Sequence, residues 1–358
     1  MGQGEEVKTR SDPQVEIQER GEIFFFYRPK VNREEAHSAD DVQRMYIVLR
    51  PESGERQIEE KQTPDSGKEG AKSEHNPSSS HEDKGENDDE NRRLKKHPEG
   101  GHGTKVQHLH IFSILCVKTC YMKYFDSWNL IMQEVNIEKE PLLRFIVMGK
   151  KSLPDPGKKS RPFWGFVELV TTKIDDIKDA LRGEEYDTAT RGHRHKPSAR
   201  ALGEGVYRIL RHKYSEGKKM HTHLVYKLEL PPKDKENEPQ EELNVEREGS
   251  FIIQIKSPEQ GGGRSEFQGV GNKRKAVFPA HFQGQFGSKR FVPADPPDFL
   301  NYEGCEFLLI SASDDIEEEL GLELYTETEV PDPKCSDLVK TFGADVTPTA
   351  PLFEGTWC

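Results

Sequence analysis

Apolar residues are scarce in this sequence, and no apolar run is long. Only 32% of its 358 residues are hydrophobic and another 32% are charged, so the folded core must be concentrated in part of the chain. The longest apolar stretch, residues 111–117, is too short to cross a bilayer, and we predict no membrane span. The chain does not begin with an apolar export segment, and its five cysteines are an odd number. Both features indicate an intracellular protein, cytoplasmic or nuclear, with reduced thiols.

A net positive charge is also lacking, because 64 acidic residues outnumber 52 basic ones. The formal net charge is −12 at pH 7, so the chain as a whole lacks the field that draws proteins onto phosphate backbones. We therefore expect no general nucleic-acid binding. Local basic segments are still compatible with a protein partner or an anionic ligand.

Signatures of common enzyme families are missing as well. The sequence contains no Gly-x-Ser-x-Gly elbow, no His-Glu-x-x-His helix and no Gly-x-Gly-x-x-Gly turn. Residues 149–152 and 157–160, both Gly-Lys-Lys-Ser, resemble the end of a phosphate-binding loop. Each lacks the glycine that this loop needs five places earlier, so we predict two solvated turns.

What the sequence does contain is a series of short β-rich segments. Residues 23–27 are apolar or aromatic at every position, which indicates a strand that is buried on both faces. The other strands predicted in the first half are 45–49, 142–148 and 164–170, and a helix is predicted over 173–182. Between residues 52 and 103 there is no aromatic residue, so this stretch cannot bury enough apolar surface to fold.

The second half repeats this order of segments, with predicted strands at 206–210, 226–230 and 251–256. The dipeptide Gly-Glu at 21–22 recurs at 203–204, and residues 163–181 align on 302–320 without a gap. This order indicates duplication of one unit, although two β-rich halves could also match by chance. We predict an α+β fold, β-rich, with two pseudo-symmetric repeats of about four strands plus one helix and a disordered insert.

The unit boundaries follow the composition. The units are a disordered N-terminus (1–20), a first β-rich repeat (21–183) with a polar, largely disordered insert (52–140), a basic junction loop (184–202), a second β-rich repeat (203–322) and an acidic mobile tail (323–358). Within the insert, residues 106–140 are rich in apolar and aromatic residues and have no counterpart in the second half. We interpret them as an alternative exon or unspliced sequence. Abundant peptides from this stretch in the native protein would contradict that interpretation.

Histidines and basic residues cluster in the junction loop. The candidate ligand-binding residues there are Arg191, His193, Arg194, His195 and Lys196. A second pair, His221 and His223, begins a predicted strand, where alternation places the two imidazoles on one face, roughly 6 to 7 Å apart. Such a basic loop could bind an anion or an acidic peptide.

The same four histidines could instead form a metal site. If the pair His193 and His195 faced the pair His221 and His223, their imidazoles could ligate zinc, iron or nickel. A second set of possible ligands, whose spacing is unlike that of common zinc knuckles, comprises His108, His110, Cys116 and Cys120. Histidines beside arginines in a polar loop are also often simply solvated. Three interpretations therefore stay open: an anion or peptide site, a metal site, and no dedicated chemistry.

Four phrases stand out in the folded part of the sequence. They are ERGEIFFFYRPKV (19–31), FWGFV (163–167), GEGVY (203–207) and RFVPADP (290–296). Together they resemble an uncharacterised family of plant and bacterial proteins. The resemblance spans most of the predicted folded chain, and the 52–140 insert departs from it. It implies a compact ancestral core and no particular activity.

We therefore expect a ligand- or partner-binding module, for an anion or a peptide, centred on the two histidine pairs. The alternative is a metal-dependent enzyme that uses these histidines, and a third class is a pure scaffold. Stoichiometric transition metal that is lost on His221→Ala replacement would favour the enzyme. The sequence fixes neither a cofactor nor an oligomeric state.

Overall fold

The computed structural model describes residues 4–52, 55–59, 132–136, 141–213, 220–259, 274–326 and 336–358. Most of the predicted insert lies outside the described residues, and so do the candidate ligands His108, His110, Cys116 and Cys120. Within the described ranges, no helix has the length and apolar character needed to cross a membrane.

Strands make up most of the described chain. In chain order they are β1 (Glu6–Lys8), β2 (Gln14–Pro29), β3 (Val42–Pro51), β4 (Glu55–Glu59), β5 (Met132–Asn136), β6 (Leu143–Met148), β7 (Phe163–Thr171), β8 (Glu184–Thr188), β9 (Gly192–Lys196), β10 (Arg200–Lys213), β11 (His221–Leu230), β12 (Glu248–Lys256), β13 (Phe291–Pro293), β14 (Glu306–Ser313) and β15 (Leu322–Leu324). The helices are short: α1 (Ile174–Leu181), α2 (Glu238–Glu242), α3 (Ala280–Phe286), α4 (Ile316–Leu320), α5 (Asp337–Phe342) and α6 (Ala350–Phe353), with 3-10 turns at Ala39–Asp41 and Pro297–Asn301. The prediction of a β-rich fold with few helices is confirmed.

Eight strands close into a barrel in which every neighbouring pair is antiparallel. Around the barrel the order is β2, β3, β6, β7, β14, β12, β11 and β10, and β10 pairs back onto β2. The first four strands are consecutive neighbours from the first half of the chain, and the last four come from the second half. The two halves therefore meet where β2 pairs with β10 and where β7 pairs with β14.

Alternation along the strands divides the apolar side chains between the barrel interior and its outer wall. On β2, Phe25 and Tyr27 belong to the interior core, whereas Phe24 and Phe26 belong to the layer outside. The outer layer on this side includes α1 and α5, and the Phe342 ring meets Phe24 and Phe26 edge-on at centroid distances of 5.4 and 5.9 Å. Burial on both faces explains why this strand reads as an unbroken apolar run.

The outer wall of the second half is covered by α4 and β15. Ile316 and Leu320 of α4 pack against Leu210 and Val225 on the barrel. β15 pairs with β1, so the N-terminal chain helps to hold this cover in place. Each half therefore places the helix that follows its fourth strand against the outside of the barrel.

The two ends of the barrel are closed in different ways, and we call them the Gln14 end and the Pro29 end after the limits of β2. At the Gln14 end, aromatic rings form a plug with centroid distances from 4.4 to 6.5 Å, made of Phe278, Phe282, Phe286, Phe299 and Tyr302. At the Pro29 end, Trp357 packs on Tyr27, whose hydroxyl donates to the Cys358 carbonyl at 3.1 Å.

A buried ion pair lies beside the aromatic plug. The Arg144 guanidinium donates to the two Glu19 carboxylate oxygens at 2.6 and 2.8 Å and to Asn301 Oδ1 at 2.8 Å. The Tyr207 hydroxyl donates to the same carboxylate at 2.8 Å. Both charged side chains are at most 1% exposed, so each depends on the other for its stability in an apolar interior.

Both halves have the same order of elements. The first consists of β2, β3, β6, β7 and α1, and the second of β10, β11, β12, β14 and α4. The helix predicted over 173–182 is α1. The second of these helices ends at Gly321 in the left-handed conformation that favours glycine.

The two terminal segments are ordered where the sequence predicts disorder. The N-terminus (1–20) contributes β1 and the first part of β2, because Val15 is buried against the α4 cover. The tail (323–358) forms α5 and α6 within its described part, and Leu338 and Leu352 are buried on the outer wall. Few of these residues are apolar, but Val15, Leu338 and Leu352 are buried by the fold.

The predicted junction loop and insert also contain regular structure. The junction (184–202) consists of β8, β9 and the start of β10. The insert (52–140) contributes β4 and β5, which pair with each other over five residues. In both places, pairing with a neighbouring strand supplies backbone hydrogen bonds to segments whose own composition is polar.

Arg144→Met should lower the free energy of unfolding by about 3 to 5 kcal/mol, because Glu19 would keep a buried charge without its partner. Urea denaturation followed by circular dichroism measures this change. The double variant Glu19→Gln with Arg144→Met should recover part of the lost free energy of unfolding, since it removes both charges of this pair. As a control, Arg182→Met removes a guanidinium that is 53% exposed and paired with Asp179, and should cost about 1 kcal/mol at most. Equal losses of stability in the two single arginine variants would contradict the importance of the buried pair of Glu19 and Arg144.

Candidate functional site

The predicted junction loop is a β-hairpin, formed by β8 and β9, at the Pro29 end of the barrel. Its strands pair in register, from Glu184 opposite Lys196 to Thr188 opposite Gly192. The base is fixed to the β2–β3 connection, because the His195 N–H donates to Asn32 Oδ1 at 2.8 Å and the Asn32 N–H donates to the His195 carbonyl at 2.7 Å. Five of the seven candidate residues therefore belong to one hairpin.

A buried arginine holds the chain on both sides of the hairpin. Arg28 on β2 is 1% exposed, and its guanidinium donates to the carbonyls of Pro197 at 2.5 Å, Ala180 at 2.6 Å and Arg182 at 3.2 Å. Its Nε donates to the Tyr46 hydroxyl at 3.0 Å. Carbonyls at the end of a helix lack partners within the helix, so the arginine satisfies the end of α1 and positions the hairpin that follows.

One face of the hairpin carries both histidines among carboxylates. His193 Nδ1 lies 3.3 Å from Asp187 and its Nε2 lies 3.7 Å from Glu185. His195 Nε2 lies 3.3 Å from Glu34, and its Nδ1 lies 3.9 Å from Glu185. Positive charge on either imidazole would be balanced by these neighbours, so this face does not attract an anion.

The other face combines an exposed tyrosine with an arginine. Tyr186, 38% exposed, and Arg194 lie directly opposite each other in register, and alternation places both on this face. Lys196 on the same face is engaged with Glu184 at 3.2 Å, and Arg191 stands exposed in the turn. Neither Arg191 nor Arg194 forms an ion pair with any carboxylate that the structure describes. We call Tyr186 and Arg194 the Tyr186/Arg194 face.

The second histidine pair lies at the opposite end of the barrel. His221 stands across from His212 at the Gln14 end, whereas the hairpin adjoins the Pro29 end. β10 spans 14 residues between these ends, which corresponds to about 40 Å at the usual rise of a strand. The structure thus separates His193 and His195 from His221 and His223 instead of joining them in one metal site. The described parts of the chain contain no group of three or more side chains arranged to hold a metal ion.

His223 belongs to a buried polar cluster beneath α4. Its Nε2 lies 3.4 Å from His212 Nδ1, and its Nδ1 lies 3.0 Å from Ser250 Oγ and 3.8 Å from the Glu319 carboxylate. Both imidazoles are fully buried. The sequence interpretation missed His212, Ser250 and Glu319. The sequence does contain a signal for His212, since a hairpin between the predicted strands at 206–210 and 226–230 places it across from His221.

Burial keeps both imidazoles of this cluster neutral at physiological pH. Desolvation lowers the pKa of His223 to about 3, and the nearby His212 and His221 act in the same direction. Desolvation likewise lowers the pKa of His212 to about 4. One neutral imidazole can donate a hydrogen bond to the other, so the cluster links the neighbouring strands β10 and β11 without charge on either ring.

A relative of known activity would assign roles to these residues. The chain matches no family model, no curated protein and no solved structure. The resemblance drawn from four phrases of the sequence therefore stays a prediction, and function has to be inferred from the geometry of the barrel and its hairpin.

The free energy of unfolding should fall as the pH is lowered from about 6.5 to about 4. In this window the unfolded histidines bind protons that folded His212 and His223 do not, so acid favours the unfolded chain. The slope amounts to at most about 1.4 kcal/mol per pH unit for each histidine. Urea denaturation at a series of pH values measures it.

Comparison of His223→Gln with His193→Gln isolates the buried cluster. The buried replacement should flatten the slope more than the exposed one does. Glu204 acts in the opposite direction, because burial raises its pKa to about 7 and its contribution to stability is lost as the pH rises through that value. The test is therefore the difference in slope between the parent and each variant. Equal slopes in the parent and in His223→Gln would contradict a contribution of the buried histidine cluster to the pH dependence.

Proposed function

We propose that this chain is a binding module whose anionic partner is an acidic peptide. The observation that carries the proposal is the Tyr186/Arg194 face, where an exposed tyrosine lies opposite an arginine that has no carboxylate partner among the described residues. Tyrosine and arginine are enriched among the residues that dominate binding energy at protein interfaces. Arginine also binds carboxylates through two parallel N–H donors.

The anchoring of the hairpin favours this role. Arg28 and Asn32 fix its base, so a partner would meet a backbone that is already ordered, and binding would cost less conformational entropy. The balanced charges around His193 and His195 leave the Tyr186/Arg194 face as the more attractive one for an anion. The alternative of a metal-dependent enzyme has no comparable support, since its two histidine pairs lie at opposite ends of the barrel.

We also infer that the barrel arose by duplication. In the β2–β10 ladder, Ile23 stands opposite Gly205. The matching Gly-Glu dipeptides, at 21–22 and 203–204, come directly before these two residues. A two-fold axis through the pair Ile23 and Gly205 would therefore exchange β2 with β10 and keep this pair in register. An experimental structure in which the two sets of four strands superpose only by a rotation far from 180° would contradict the inference. Membership of the plant and bacterial family is likewise proposed, on the four phrases of sequence alone.

Tyr186→Ala and Arg194→Ala should each weaken binding of a synthetic Glu- and Asp-rich peptide to the full chain by about tenfold or more, because each removes an anchor of the Tyr186/Arg194 face. Fluorescence anisotropy of the labelled peptide, at low and at physiological ionic strength, gives the Kd. The control Lys158→Ala removes an exposed cation that pairs with Asp155 outside the hairpin. It should change the Kd by no more than about twofold. Absence of saturable binding, or equal losses in Arg194→Ala and Lys158→Ala, would rule out the proposal.

A further inference from the structure

A cavity of about 820 Å³ lies at the Pro29 end of the barrel. It is bordered by the start of β3, the turn that follows β6 and the start of β7. This volume lies in the range of small-molecule binding sites. Its apolar walls include Met148, Phe163 and Leu243, so the cavity offers more than a polar surface.

The cavity carries an excess of positive charge. Its cations are Arg44, Lys150, Lys151 and Arg161. Its carboxylates are those of Asp40 and Glu242, and Glu242 already accepts a hydrogen bond from the Ala39 N–H at 2.6 Å. Four cations against two carboxylates make the lining positive in a chain whose net charge is −12.

Two of the cations are available to a ligand. Lys150 and Arg161 are both exposed, and neither makes an ion pair or side-chain hydrogen bond within the ranges that the structure covers. Lys151 Nζ donates to the backbone carbonyl of Asp40 at 3.2 Å, an acceptor that leaves its charge uncompensated. An anion that enters the cavity would therefore meet two cations, Lys150 and Arg161, that form no ion pair with the carboxylates of the described residues.

The first Gly-Lys-Lys-Ser turn, residues 149–152, contributes to this lining, although the sequence predicts only a solvated turn there. Its position is fixed because the Gly149 N–H donates to the Trp164 carbonyl on β7 at 2.7 Å. The second turn of the same composition, residues 157–160, is not among the residues that line the cavity. Its Lys158 pairs with Asp155 at 2.7 Å.

We propose that this cavity binds a small phosphorylated molecule, with its phosphate group against these cations. A phosphate monoester carries between 1.5 and 2 negative charges, roughly, at pH 7 and has three acceptor oxygens. Guanidinium and ammonium groups together supply matching charge and donors. The apolar walls then accommodate the body of the molecule. The cavity residues differ from those of the Tyr186/Arg194 face, so this proposal and the peptide proposal can fail separately.

Isothermal titration calorimetry of the full chain with phenyl phosphate tests the ligand class. Inorganic phosphate lacks the apolar body, and benzoate has the ring but a single charge. Phenyl phosphate should bind saturably and at least about tenfold more tightly than either comparator. Absence of saturable binding of phenyl phosphate, or equal affinity for benzoate, would overturn the proposal.

Two double variants locate the site. Lys150→Ala with Lys151→Ala and Lys158→Ala with Lys159→Ala each remove two positive charges from a Gly-Lys-Lys-Ser turn. The first should weaken phenyl phosphate binding by about tenfold or more, and the second by no more than about twofold. Equal losses would show that only the overall charge matters and would overturn the proposal.

A single replacement guards against misfolding of the turn. Arg161→Ala changes one exposed side chain of the cavity and should weaken phenyl phosphate binding by about fivefold or more, with an unchanged circular dichroism spectrum. Unchanged affinity in this folded variant would also overturn the proposal. Tyr186→Ala should bind phenyl phosphate as the parent does, which separates this cavity from the hairpin.

Discussion

The antiparallel pairing of β2 with β10 is the constraint on which the rest of the structure depends. The ladder runs from Tyr27 opposite Arg200 to Gln14 opposite Lys213, and it joins the two halves of the chain. With β7 paired to β14 on the other side, the sheet closes and has no free edge within the barrel. Closure also gives every strand an inside and an outside. The inside has to be filled by side chains, and the apolar part of the outside has to be covered by α1, α4 and α5.

A filled interior determines where binding can take place. The buried groups beside the plug at the Gln14 end are balanced within the fold, since Arg144 and Glu19 pair with each other and the rings of His212 and His223 are neutral. Groups in that state stabilise the fold but have little to offer a ligand. The Pro29 end is different, because a hairpin and the turns between strands place cations there that the fold itself does not neutralise. Function is therefore expected at this end and not inside the barrel.

The sequence predicted the elements well because their signals are local. A strand that is apolar at every position has to be buried on both faces. The β2 run from Ile23 to Tyr27 is buried in this way. Closure was not predicted, since apolar alternation does not say which distant strand is the neighbour. The start of β2 was misjudged for a related reason. Its residues alternate between exposed and covered, as at Gln14 and Val15, and they are ordered by pairing with β10, about 200 residues away in the chain.

The polar motifs show the same limit more sharply. Two His-x-His pairs have identical spacing, yet His193 stands among exposed carboxylates whereas His223 is buried and neutral. Two Gly-Lys-Lys-Ser turns have identical composition, yet Lys150 lines a cavity whereas Lys158 is paired with Asp155. In each case the local sequence is equivalent and the electrostatic surroundings are not. The electrostatic surroundings of each residue depend on the end of the barrel, or the side of a turn, at which that residue lies. That position depends on strand length and on strand pairing, and so on the closure of the sheet.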